Sequence, residues 1–214
     1  MLDAILGATL RSLAVSAIAT LLAALLGIPL GTYLGMRKMH GRRFLRSLIY
    51  TFYGFPPVVA GLLIYLLLSS AGPFGFMHLL FTLPAMILAE FLLAFPLVLG
   101  ITMMSVSSIR TEVRDAIRVL GVSRRQEVML YLREAKNGIL AGVMVGFGSA
   151  ISEVGAAMMV GGGIVGETNV LTTDIMVHTR MGNFEYAIVL AVILLALCFA
   201  IYFVLARLED AGDE

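Results

Sequence analysis

The sequence predicts an all-α integral membrane protein with about five transmembrane helices and one cytoplasmic helix-turn-helix loop. Of its 214 residues, 60% are hydrophobic and 14% are charged, and the mean hydropathy is +0.98. The charged residues form short blocks between apolar stretches that are long enough to cross a hydrocarbon core about 30 Å thick. Because a soluble domain could not bury so large an apolar fraction, lipid is predicted to surround most of the chain.

The first predicted span is Leu13–Met36, which would be about 34 Å long as a helix and can cross with some tilt. A basic block at residues 37–46 follows it. A cleaved signal peptide is the alternative for this end of the chain. Because residues 1–10 lack a basic start and the apolar run is too long, we expect a retained span.

Residues 47–89 contain no charged side chain, and this stretch is too long for one span. Glycine and proline in the segment 69–78 predict a turn between two helices. The second and third spans are therefore expected at about residues 47–68 and 82–104.

Residues 105–137 are too polar for hydrocarbon and predict a structured loop. Its basic residues are Arg110, Arg114, Arg118, Arg124, Arg125, Arg133 and Lys136. A fourth span is expected at about Gly138–Val160, then a glycine-rich polar connection to residue 185 and a fifth span at about Tyr186–Ala206. We expect residues 1–214 to form a single transmembrane domain.

The distribution of lysine and arginine predicts the orientation. The loop after the first span holds five, residues 105–137 hold seven and the C-terminal flank holds one, which leaves only Arg11 and Arg180 opposite. Since cytoplasmic loops carry the excess of basic residues, thirteen against two places the N-terminus outside and the C-terminus in the cytoplasm of a multi-pass plasma or inner membrane protein.

Other classes of function have little support in the sequence. A net charge of +1 gives no indication of a nucleic-acid partner, so lipid is the expected surrounding. The single cysteine, Cys198, cannot form an internal disulfide and is expected to pack as a small apolar residue. The histidines His40, His78 and His178 lack ligand spacing, so no metal site is predicted.

Small residues recur every fourth position in two spans, at Gly27, Gly31 and Gly35 and at Gly138, Gly142 and Gly146. Such spacing lets helix backbones approach closely in lipid. We expect these glycines to pack helices within one subunit, and a dimer interface is the alternative.

The loop at 105–137 has the pattern of two short amphipathic helices. Val113, Ile117 and Leu120 lie at helical spacing on one side of the first, and Gly121 would end it. Ser123 and Gln126 have the spacing of a capping box at the start of the second. The loop is therefore predicted either to dock a partner or to lie on lipid headgroups.

The segment DAIRVLG, Asp115–Gly121, resembles the EAA loop of ATP-binding-cassette importer permeases. Asp115 stands where that motif has Glu, and Ile117 stands at its second Ala. In that family the loop couples the membrane subunit to an ATPase. The resemblance therefore assigns the coupling role to Asp115, Ala116, Ile117, Leu120 and Gly121.

The later segments YLREAKNGILAG and ISEVGAAMMVGGGIVGETNVLTTDI are similar to permeases of tungstate importers and, more loosely, of molybdate and sulfate importers. The resemblance implies a type I importer fold and a homodimer with a central pathway. It also implies cytoplasmic ATP-binding subunits and an extracytoplasmic oxyanion-binding protein as partners. The chain itself has no Gly-x4-Gly-Lys-Ser/Thr phosphate loop, so we expect a transport subunit that is not an enzyme and holds no cofactor.

The candidates for the pathway or gate are Glu153, Thr168, Asn169, Thr172 and Thr173. Hydroxyl and amide groups suit brief contact with an oxyanion, and they could equally cap a re-entrant turn. Glu90 and Glu153 lie within apolar spans, where an ionisable group is costly, and structural roles are expected for both. Three other functions stay open: an ATP-independent channel or secondary transporter, an importer permease for another substrate, and a membrane scaffold.

Overall fold

The computed structural model describes residues 2–37 and 42–210, so part of the predicted basic loop, including Lys38 and His40, lies outside the described residues. Within these ranges the chain forms ten α-helices and a 3₁₀ turn at Gly75–Met77, and no β-strand. The helices are α1 Leu2–Met36, α2 Arg42–Tyr53, α3 Pro57–Leu68, α4 Leu83–Ser108, α5 Thr111–Val119, α6 Arg124–Glu134, α7 Lys136–Ile151, α8 Gly155–Gly161, α9 Leu171–Arg180 and α10 Phe184–Asp210.

Three of the described helices, α1, α4 and α10, are individually long and apolar enough to cross a membrane. Two bent pairs, α2 with α3 and α7 with α8, bring the number to five if each pair is counted as one span. The all-α membrane fold is therefore confirmed. The structure adds that the second and fourth predicted spans are each interrupted, by bends of 95° and 57°.

Two prolines cause the sharper bend. Pro56 precedes α3 with φ −62° and ψ 125°, and Pro57 begins the helix. A proline lacks the backbone N–H, its ring clashes with the preceding helical turn, and it disfavours helical geometry at the residue before it. The chain therefore leaves the direction of α2 at Tyr53 and starts a new helix.

The boundaries of the unbroken spans also differ from those expected. Helix α1 begins at Leu2 rather than Leu13, α4 continues to Ser108, and α10 covers residues 184–210. The early start of α1 brings Arg11 inside the helix, where this side chain bonds to a distant loop. In residues 184–207 of α10 only Ala187 and Leu190 are buried and about half of the residues are exposed, so lipid or another subunit faces one side of the helix.

Helix α4 lies at the centre of the bundle, and both glycine stripes pack against it. A Cβ atom at Gly31 would lie 2.5 Å from the carbonyl oxygen of Leu99, so α1 approaches the backbone of α4 directly. Gly27 and Gly35 face α4 in the same way.

The second stripe, on α7, approaches another side of α4. Cβ atoms added at Gly142 and Gly146 would lie 3.2 Å from Ile101 and 2.7 Å from Val98, and one at Gly138 would overlap Ser105. The interpretation of both stripes as packing surfaces within one subunit is therefore confirmed for this chain.

We predict that Gly31→Ala destabilises the protein more than Gly27→Ala. The new methyl group at position 31 would lie 2.5 Å from a backbone oxygen, which cannot move aside, whereas at position 27 the nearest atom is 3.1 Å away. Overpacking of this kind costs about 1–3 kcal/mol. Thermal unfolding of the two purified variants in detergent gives the comparison, and equal melting temperatures would contradict the packing described.

Candidate functional site

Helices α5 and α6 form a helix-turn-helix beside the ends of the long helices. Gly121 lies in the turn with φ 61°, a backbone conformation that glycine adopts without strain, and nothing lies within 4 Å of a Cβ placed there. The capping box predicted at Ser123 and Gln126 is confirmed. The backbone N–H of Ser123 donates to Oε1 of Gln126 at 2.9 Å, and the Ser123 hydroxyl accepts from the Gln126 N–H.

One arginine attaches this hairpin to α4. Nε of Arg114 donates to the carbonyl oxygen of Ile109 at 3.0 Å, and Nη2 donates to that of Val106. The guanidinium carbon also lies 5.6 Å from the centre of the Tyr131 ring on α6. Arg114 therefore satisfies carbonyls at the end of α4, which have no partner within their own helix, and fixes both helices of the hairpin there.

The inner side of the hairpin is apolar. Ile117 and Tyr131 are 6% and 2% exposed and pack with Val106 and Ile139, at the ends of α4 and α7. The hairpin is therefore packed against the ends of the membrane helices.

The outer side of the hairpin carries most of the residues assigned to coupling. Asp115 and Ala116 are exposed, as are Val119 (86%) and Leu120 (69%), whereas Ile117 points inward. The sequence pattern placed Leu120 on the same side as Ile117, and this is wrong. Helix α5 ends at Val119, so Leu120 belongs to the turn and leaves the helical periodicity.

The glycine-rich connection, residues 161–170, is closed by its own side chains. The Thr168 hydroxyl donates to the carbonyl oxygen of Gly161 at 2.6 Å and accepts from the N–H of Ile164 at 2.9 Å. Oδ1 of Asn169 accepts from the N–H of Gly166 at 2.8 Å. Both side chains are buried, with their polar groups turned into the loop.

Glu153 lies at the bend between α7 and α8. Its Oε1 accepts the N–H of Ala156 at 2.8 Å, which satisfies one free amide at the start of α8. Its carbonyl oxygen accepts the hydroxyl of Thr172 at 2.8 Å. Thr173 caps the start of α9, accepting from the Val170 N–H at 3.0 Å. The five pathway candidates therefore form one continuous region, from the bend to α9.

Sequence reasoning missed the residue that attaches this region to α1. Arg11 donates from Nε to the carbonyl oxygen of Asn169 at 2.8 Å, from Nη2 to Oδ1 of Asn169 at 2.6 Å, and from Nη1 to the carbonyl oxygen of Gly166 at 3.3 Å. The Ser12 hydroxyl also accepts the N–H of Leu171. An arginine next to an apolar run is the signal that could have indicated such a role.

Asp174 extends this network into α9. Its Oδ2 accepts Nδ2 of Asn169 at 2.7 Å. Burial raises the pKa of the Asp174 carboxyl, and the hydrogen bond from Asn169 and the charges of His178 and Arg11 oppose that rise. The network thus joins α1, the connection and α9 through one amide side chain.

Glu90 lies deeper, on α4, and is 2% exposed. The Ser16 hydroxyl of α1 hydrogen-bonds to its carboxyl group, and Glu153 is an electrostatic neighbour. Oε2 of Glu90 has no hydrogen-bond partner among the described residues.

Residues 2–37 and 42–210 contain no group of three or more His, Cys, Asp or Glu side chains arranged to hold a metal ion.

The structure is thus a bundle of apolar helices with two bent helix pairs, and a hairpin is fixed to the ends of the bundle. The chain belongs to the family of binding-protein-dependent transport system inner membrane components, which matches residues 27–211. It is therefore an ATP-binding-cassette importer permease, a transport subunit rather than an enzyme, and it works with separate ATP-binding subunits and a substrate-binding protein.

Two relatives match nearly the whole chain. A probable anion ABC transporter permease of Haloferax volcanii is 41% identical, and the match covers 94% of this chain and 89% of the relative. A tungstate uptake system permease of Peptoclostridium acidaminophilum is 40% identical, with 93% and 87% covered.

The fold has a solved counterpart. A chain of the MetNI methionine ABC transporter, in an inward-facing crystal form, matches with a TM-score of 0.79 over 99% of this chain and 97% of its own length. At 18% identity this likeness concerns the fold alone. It confirms the predicted type I importer fold of the chain.

We predict that Arg11→Met loosens the glycine-rich connection. The substitution removes three hydrogen bonds from a charged donor, each worth about 1.5–3 kcal/mol. Amide hydrogen exchange at Gly166 and Asn169 should accelerate at least about tenfold. Arg180→Met, at an exposed arginine of α9, is the matched control and should leave exchange in the connection unchanged. Unchanged exchange in Arg11→Met would show that Arg11 does not attach the connection.

Proposed function

We propose that this chain, as a single permease domain over residues 1–214, forms the membrane pathway of an importer for tetrahedral oxyanions, with tungstate as the substrate. The observation that carries the proposal is the similarity of about 40% to an anion permease and to a tungstate permease over nearly their full lengths. Of the two tungstate-like segments, residues 131–142 form the end of α6 and the start of α7, and residues 151–175 form the bend, the connection and the first half of α9.

In this proposal Glu153, Thr168, Asn169, Thr172 and Thr173 form the gate by holding its backbone in shape. Their hydrogen bonds to backbone groups of the same region support this role better than a role in binding the anion. Arg11, the cation within this network, already donates to two carbonyls and an amide oxygen. Because their hydrogen-bonding groups are already paired, these residues can make only weak contacts with an oxyanion. Weak contacts suit passage, because a pathway must release the substrate that it admits.

The α5–α6 hairpin is the surface that couples transport to ATP hydrolysis. Ala116, Val119 and Leu120 present an exposed apolar surface at its tip, and Arg114 connects it rigidly to α4. A force that a partner applies to the tip would therefore be transmitted to α4, at the centre of the bundle. ATP binds to the partner, and this chain holds no cofactor.

Two copies of the chain form the pathway between them. Three to five spans cannot easily enclose an aqueous route, and α10 leaves most of its apolar surface uncovered by its own subunit. The hairpin and the C-terminus face the cytoplasm, and the N-terminus and the connection face outward, as the lysine and arginine distribution predicts. The oxyanion-binding protein delivers the substrate to that outer side.

We predict that Gly121→Val uncouples ATP hydrolysis from transport, whereas Gly121→Asn preserves most of the coupling. Valine is strained at φ 61° and asparagine tolerates this region, and no atom lies within 4 Å of a Cβ placed there. The measurement is the ratio of substrate imported to ATP hydrolysed in proteoliposomes that contain the complete transporter.

The comparison of the two variants isolates the backbone effect from the added volume. Both should assemble with the ATP-binding subunits, which co-purification checks. Equal coupling ratios for valine and asparagine would contradict the role assigned to the turn.

We also predict ATP-driven uptake of tungstate by the complete transporter, reduced more by competing molybdate than by a sugar or an amino acid. Uptake should require ATP on the side of the hairpin and the binding protein on the opposite side. Calorimetry on the permease alone should show no tight tungstate binding, because the connection lacks a cluster of unpaired cations among its described residues.

Each alternative function gives a different result in this experiment. Flux without the ATP-binding subunits would indicate a channel or secondary transporter, and ATP-driven uptake of another solute would refute the oxyanion assignment. No flux of any solute in the fully assembled complex would favour a scaffold.

A further inference from the structure

A cavity of about 410 Å³ lies between the end of α1 and the hairpin helix α6. Its walls are mainly apolar and include Ile28 and Met36 from α1 and Val128 and Leu132 from α6. The volume is within the usual range for small-molecule sites, about 300–1,000 Å³. The pathway described above does not use this cavity, which lies against the hairpin rather than the connection.

Two guanidinium groups line the same cavity. Arg37 lies over the Tyr33 ring, with its central carbon 4.4 Å from the ring centre, so its in-plane N–H donors stay available. Arg124 enters from α6, and one of its nitrogens pairs with Oε2 of Glu127 at 2.5 Å. Because these two guanidinium groups are accompanied by only this one carboxylate, the net charge at the edge of the cavity is positive.

The cavity continues an apolar face that lipid can reach. Leu22, Leu25, Leu26 and Leu30 of α1 are 37–66% exposed and lead along the helix to Tyr33. Tyrosine and arginine at the end of an apolar helix face are typical of the boundary between hydrocarbon and headgroups. An acyl chain lying on the leucines would therefore place its phosphate beside the two arginines.

We propose that this cavity binds an anionic phospholipid, with its phosphate on Arg37 and Arg124 and its acyl chain against α1 and α6. The proposal rests on the apolar walls, the two cations and the continuity with the lipid-facing side of α1. It is independent of the substrate assigned to the transporter. The bound lipid would contact both a membrane span and the coupling hairpin.

The chemistry of the cavity favours a lipid over a free anion. A free phosphate or tungstate ion would leave Ile28, Met36, Val128 and Leu132 uncovered. A zwitterionic lipid carries its own cation next to the phosphate, which competes with the arginines. A phosphatidylglycerol headgroup has no such cation and matches both features.

The test measures phosphatidylglycerol and phosphatidylcholine retained by the purified permease complex, with its ATP-binding subunits, by native mass spectrometry. The wild type should retain phosphatidylglycerol preferentially. Arg37→Gln and Arg124→Gln should each weaken its binding about fivefold, the effect of losing one basic residue near an anionic lipid. Glu127→Gln should strengthen binding, because it removes the opposing charge.

Arg125→Gln is the matched control, since this arginine neighbours Arg124 on α6 and does not line the cavity. Its binding should stay within about twofold of the wild type, below the effect of one lipid-bound arginine. If Arg124→Gln fails to assemble, Arg37→Gln, which lies outside the hairpin, decides the question. Equal retention of the two lipids, unchanged binding in Arg37→Gln, or equal displacement by inorganic phosphate alone would overturn the proposal.

Discussion

The close approach of two glycine-lined helices to α4 is the constraint on which the rest of the structure depends. Lipid supplies no hydrophobic drive for helix association, so contact between backbones has to provide the packing energy. Gly31 on α1 and Gly146 on α7 each bring a helix against α4 at distances that leave no room for a side chain. Because α1 and α7 pack against two sides of α4, the position of α4 determines where the other elements attach.

The two candidate functional regions are both attached to this central group of helices, by different bonds. The hairpin is fixed to the end of α4 by Arg114, whose donors satisfy carbonyls that the helix leaves open. The glycine-rich connection is attached to α1 by Arg11. Each region is thus held by one arginine bonded to backbone oxygen, and α1 and α4 form the rigid path between them.

Patterns that extend over many residues predicted most of the fold. Apolar stretches identified the spans, and glycines at every fourth position identified the two packing stripes, because both patterns depend on regular helix geometry. The bend at Glu153 was missed, since an apolar run looks the same whether it is straight or broken. The bend at Pro56 was missed although two consecutive prolines mark it in the sequence. Leu120 was misplaced because the end of α5 cannot be located to one residue by periodicity. The partners of Arg11 were beyond reach, because nothing local in the sequence links residue 11 to residue 169.

The bond between Arg11 and Asn169 has a consequence for the way the protein is made. The two residues are 158 positions apart, so α1 leaves the ribosome long before its partner is synthesised. At about 5–20 residues per second this delay is roughly 8–30 seconds. During that interval the guanidinium has no partner from the connection and stays near the membrane surface, where water and headgroups solvate it. The hydrogen bonds that fix this arginine to the connection therefore form only late in synthesis.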